Sequence, residues 1–176
     1  FKNLKVIKGN IYTSEKGINP YLSTPNLTEI GSIEITDDVA KALPRLQVVT
    51  ERCTVAENVN ANSLRLVKRL TLQPGAKANN VTTVTDTLSL GKNAQANSVT
   101  TVGGYFFSHD GAQAQSLRAT GKHSFVRKEQ FPNLAFNGDP EAVARIRTET
   151  LTAEERYALG VKAAGMTADT VRDSIS

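Results

Sequence analysis

Residues 70–97 read LTLQPGAKANNVTTVTDTLSLGKNAQAN, and residues 98–126 continue as SVTTVGGYFFSHDGAQAQSLRATGKHSFV. A step of eighteen residues carries Leu70 to Leu88 to Phe106, Ala76 to Ala94 to Ala112, Ala78 to Ala96 to Ala114 and Val81 to Val99 to Leu117. A fixed period of this length marks a solenoid, in which each repeat buries its apolar face only by stacking on its neighbours.

The same alternation appears earlier as Ile33 and Ile35 followed by Asp38, and as Cys53 and Val55 followed by Asn58. It then runs through Leu70, Leu72 and Gly75, through Leu88, Leu90 and Asn93, and through Phe106, Ser108 and Gly111. About five rungs are predicted. Each has paired inward side chains on a strand, then a corner held by Asp, Asn or Gly, the residues that best tolerate a left-handed backbone. Written in sixes, the leading residues run Leu72, Ala78, Val84, Leu90, Ala96, Val102, Ser108, Ala114, Thr120 and Val126. All are uncharged, and all are predicted to face inward. The second positions are Ala76, Thr82, Leu88, Ala94, Thr100, Phe106, Ala112, Arg118 and Ser124, where Arg118 breaks the pattern. Asn62, Asn79, Asn97 and Gln115 follow the second small residue of successive rungs, where they fit either a ladder of stacked amides or the general preference of Asn for corners.

The chain is therefore read as mainly β, a parallel β-helix with a small α-helical C-terminal segment. A leucine-rich-repeat solenoid is the alternative, because Ile30, Ile33, Ile35 and Asp38 fit its spacing. VTTVTDT argues against it, since β-branched residues serve a convex helix poorly. Three segments follow: an N-terminal cap over 1–28, the solenoid over 29–128, and a connection with helices over 129–176. In the cap, Leu4, Val6 and Ile11 fit one strand. In the last segment Phe131 and Phe136 are available to cover the final rung. Asp139 with Pro140, Thr152 with Glu155, and Thr167 supply helix starts, and Gly165 supplies a stop.

The hexads resemble those of hexapeptide-type parallel β-helices. Residues 70–97 most resemble the bactofilins, which are bacterial proteins on a short β-helix that polymerise end to end. The first resemblance implies an acyltransferase in which a corner histidine acts as base, and His109 is the matching residue here. The second implies self-association through the solenoid ends. β-Helical carbonic anhydrases hold zinc with three histidines. This chain has two, His109 and His123, so neither a metal site nor a cofactor is expected.

Composition narrows the function classes. The net charge of +4 is mild but uneven: residues 58–138 hold nine Lys/Arg against three Asp/Glu, and residues 29–57 hold three against six. Without interleaved aromatics or a recognition helix, nucleic acid is not the expected partner. No run approaches the roughly 18 apolar residues of a membrane helix, and none reads as a signal peptide, so localisation stays open. The one cysteine, Cys53, falls in an inward column aligned with Leu70 and is read as a small hydrophobe. The function expected is a non-enzymatic binding or scaffold domain with a protein partner, part of a larger bacterial effector or surface protein.

Overall fold

The computed structural model describes residues 3–10, 24–124, 131, 133, 134, 136 and 137. They form a parallel β-solenoid. Eight strands lie side by side in chain order, each paired in parallel with the next. They are β1 (Val6–Asn10), β2 (Glu29–Ile35), β3 (Val48–Val55), β4 (Leu66–Leu72), β5 (Thr83–Leu90), β6 (Thr101–Ser108), β7 (Ala119–Ser124) and β8 (Phe136–Asn137). One short helix, α1 (Asp37–Ala42), follows β2. The helices expected beyond Asp139 lie outside the described residues.

The register bears out the repeat. Ile33, Cys53, Leu70, Leu88 and Phe106 form one inward column, and Ile35, Val55, Leu72 and Leu90 form the next. Strands β2–β6 also bend midway. In β5, Asp86 would point inward on a straight strand, yet it is half-buried and bonded to Arg69 at 2.7 Å. The bend therefore falls between Val84 and Leu88, and one strand serves two faces of the coil. After the corner a second face begins. Here the backbone of Asn60 pairs with Lys77, Lys77 with Gln95 and Gln95 with Gln113. Ala61, Ala78, Ala96 and Ala114 are buried along it, beside Ala76, Ala94 and Ala112. This extended return path excludes the leucine-rich alternative, in which the regular coils would come back through a convex helix.

Four of the five predicted corners are observed. Asn58 and Asn93 have φ of 60° and 58°, and Gly75 and Gly111 have φ of 73° and 74°. Their alternation has a steric cause. The Oδ1 of Asn58 occupies the space that a Cβ on Gly75 would need, and the Oδ1 of Asn93 does the same over Gly111. Each Asn side chain thus leans on the glycine of the following coil.

Four expectations are corrected. Asp38 is not a corner. Thr36 caps α1, its Oγ1 accepting from the Val39 N–H at 3.3 Å, and Asp37 and Asp38 fill the first turn, where carboxylates oppose the helix dipole favourably. The step from Ile33 to Cys53 spans twenty residues, and α1 takes up the excess over the later coils. The third face does not keep the hexad parity: Val81, Val99 and Leu117 are buried, whereas Thr82 is exposed and Thr100 and Arg118 are partly so. The Thr hydroxyls there donate to carbonyls of the preceding coil, Thr82 to Arg65 O and Thr100 to Thr82 O, each at 3.4 Å. The final coil is one residue shorter, because Val102 pairs with Thr120 but Phe106 pairs with His123, so Ser124 lies opposite Phe107.

The amide ladder, finally, is wired differently from a side-chain stack. The Asn97 N–H donates to Asn79 Oδ1 at 3.0 Å and the Gln115 N–H to Asn97 Oδ1 at 3.3 Å. Asn80 and Asn133 donate their side-chain amides to Asn62 O and Gln115 O, each at 2.6 Å. Amides tie backbone to side chain from coil to coil, which satisfies corner groups that strand pairing leaves free. Beyond β7, Phe131 is fully buried and meets Phe106 edge-on with ring centroids 5.0 Å apart.

Candidate functional site

Every strand presents alternate side chains outward, so the C-terminal halves of β2–β6 build one continuous outer face. One outward column runs Arg52, Arg69, Thr87 and Tyr105, and the next runs Glu34, Thr54, Thr71, Ser89 and Phe107. The backbones of Lys122 and Ser124 pair in register with Tyr105 and Phe107. Most of these positions carry hydroxyl or charged groups, as a solvated sheet face should. Tyr105 and Phe107 depart from that pattern. They are 47 % and 37 % exposed, their ring planes lie within 13° of parallel, and their centroids are 6.1 Å apart. Phe106 between them points into the core, so one tripeptide anchors the rung from inside and places two rings outside.

The charges beside the rings are largely matched within the face. Arg69 bonds Asp86 across β4 and β5, which raises its pKa above the ordinary guanidinium value. Lys68 meets Glu51 at 3.4 Å. Such exposed pairs add little stability.

His109, the candidate base, lies exposed at the corner after β6. Its N–H donates to Leu90 O at 3.0 Å, and its carbonyl accepts from the Ala112 N–H at 3.2 Å. His123 takes a strand position in β7, opposite Phe106, so the two histidines stand on different elements and the fold does not make them neighbours in one corner. Among the described residues no group of three or more His, Cys, Asp or Glu is gathered as metal ligands, and no helix is long and apolar enough to cross a membrane.

Cys53 is fully buried in the column between Ile33 and Leu70, and burial pushes its thiol up from 9.0 to about 12. A raised folded-state pKa means that the folded chain keeps its proton longer than the unfolded one. The associated stability is therefore complete below pH 9 and is lost as pH rises towards 12. Chemical denaturation across this window should show a steeper fall for the wild type than for Cys53→Val, which keeps an apolar side chain without a titrating group.

A concavity of about 380 Å³ opens between α1 and the start of the second face. Asp37, Val39, Lys41 and Leu43 line one side, and Asn58, Asn60, Ala61, Asn62 and Ser63 line the other. Sequence reasoning missed it, because it exists only where a helix replaces a strand.

No protein-family model matches the chain, and no curated protein or solved structure matches it either.

Proposed function

We propose that this chain is a non-enzymatic β-solenoid binding domain that engages a protein partner through the outer face of its sheet. The observation supporting this reading is the pair Tyr105 and Phe107, two large exposed rings set side by side on a rigid, hydroxyl-rich face. Aromatic side chains offer much contact area for little lost rotamer entropy, and they are enriched among the residues that dominate protein interfaces. The surrounding Thr71, Thr87 and Ser89 supply hydroxyls for a polar rim.

The test is a quantitative capture from lysate of the source cells, comparing wild type with Tyr105→Ser/Phe107→Ser. The double variant should keep its melting temperature, since neither ring fills the core, and should weaken binding about a hundredfold, the loss of two hot-spot residues. Equal retention of the same partner by both proteins would reject this face as the binding surface.

Self-association is the second reading, in line with the resemblance to bactofilins. Among the described residues β1 pairs along one edge alone, with β2. An open strand edge is a template for pairing with another chain.

A further inference from the structure

We infer that the cleft beside α1 is a docking site for an extended, basic polypeptide segment, which pairs with the backbone of Asn60 as the strand that α1 displaces. This surface is separate from the aromatic face, and the inference does not depend on that reading.

The hydrogen bonding of the second face sets the occupant. The Ala61 N–H donates to Lys77 O at 2.8 Å, and the Lys77 N–H donates to Val59 O at 2.9 Å. These bonds use the groups of Val59 and Ala61 that point towards the following coil. In a parallel ladder the intervening residue points its own N–H and C=O the other way, so those of Asn60 face α1 and the cleft. In later coils the equivalent groups are used: the Gln95 N–H donates to Ala76 O and the Ala78 N–H to Gln95 O, each at 2.9 Å. At Asn60 the ladder stops, and among the described residues its N–H and C=O have no hydrogen-bond partner. The unpaired backbone groups of a helix lie at its ends and point along its axis rather than sideways, so α1 does not complete the ladder. An extended peptide can, by strand addition.

The cleft also selects side chains. Its volume lies within the range of about 300–1,000 Å³ typical of ligand pockets. Ala61 and the buried Val39 and Leu43 leave room for small inward side chains. Asp37 and Lys41 balance within the lining, and of the exposed charged residues that adjoin lining residues Glu34, Asp38 and Glu57 are acidic and Arg45 is basic, so acidic groups outnumber basic ones. The outward positions of the segment are therefore basic.

The probe is an acetylated and amidated KAKAK peptide, titrated into the folded chain while backbone amide shifts are followed by NMR. Shifts are expected at Asn60, Ala61 and α1. N-methylation of both peptide alanines should weaken binding about tenfold or more by deleting donors to the ladder. EAEAE should bind more weakly than KAKAK, and Asp37→Lys should reduce that preference. Asn60→Pro removes an N–H that faces the cleft and takes no part in the ladder, so it should fold and bind less tightly. Shifts that are absent, spread elsewhere, or unchanged by N-methylation would overturn the assignment, as would equal binding of EAEAE. If Asn60→Pro does not fold, the N-methylated peptide alone decides the matter.

Discussion

Ala96→Arg is expected to abolish the cooperative unfolding transition. Ala96 has no solvent exposure and stands in the narrow face with Ala78 and Ala114 above and below it. Neighbouring coils in a parallel ladder are about 4.8 Å apart, so the guanidinium cannot slip between them. It would have to sit uncompensated among alanines or force the second face apart. Burying an unpaired charge costs more than a domain's whole stability of about 5–15 kcal/mol. The check is a thermal or denaturant melt followed by circular dichroism. A sigmoidal transition at the wild-type midpoint would mean that residue 96 does not face inward. Lys77→Arg, an exposed change on the same face, serves as the control and should leave the midpoint in place.

The second large effect is expected at a corner. Gly75→Ala meets two penalties at once. A left-handed backbone costs a non-glycine residue roughly 1–2 kcal/mol, and the new methyl would overlap Asn58 Oδ1. Together they should remove about 2–4 kcal/mol, comparable to a damaging core mutation. Gly9→Ala, in β1, is the matched control, because a Cβ there meets nothing within 4 Å. It should be neutral or slightly stabilising. Asn58→Ala/Gly75→Ala separates the two causes, since it removes the overlap and leaves the backbone penalty. A cost at Gly75 no larger than at Gly9 would contradict the stacking of Asn on glycine.

The parts of this fold that were legible in the chain are those where one physical requirement admits few residues. Buried columns such as Cys53–Leu70–Leu88–Phe106 demand apolar side chains, and left-handed corners demand Asn or Gly, so both stood out at Asn58, Gly75, Asn93 and Gly111. The third face is ambiguous in sequence because threonine suits either side of a β surface, and its parity does not carry through the corner, where Val81 and Val99 rather than Thr82 and Thr100 turn in. The six residues of α1 are too few to show a helical period, and Thr36, Asp37 and Asp38 read equally well as a cap or as a bend. Of the candidate sites, Tyr105 and Phe107 could have been found by noting that an inward Phe106 sends both its neighbours outward. The cleft could not. It depends on the placement of α1 against Asn60, which no local pattern encodes.

The leaning of Asn58 on Gly75 and of Asn93 on Gly111 gives the stack an arrow and a grammar. Both side chains reach towards the C-terminal neighbour, so the two kinds of coil are donor and acceptor, and they are not interchangeable. Loss of the coil that carries Gly75 would set one asparagine upon another, whereas loss of an adjoining pair would bring Asn58 onto Gly111 and restore a fit. In such a molecule, removing two adjoining coils from the centre should disturb the fit less than removing one.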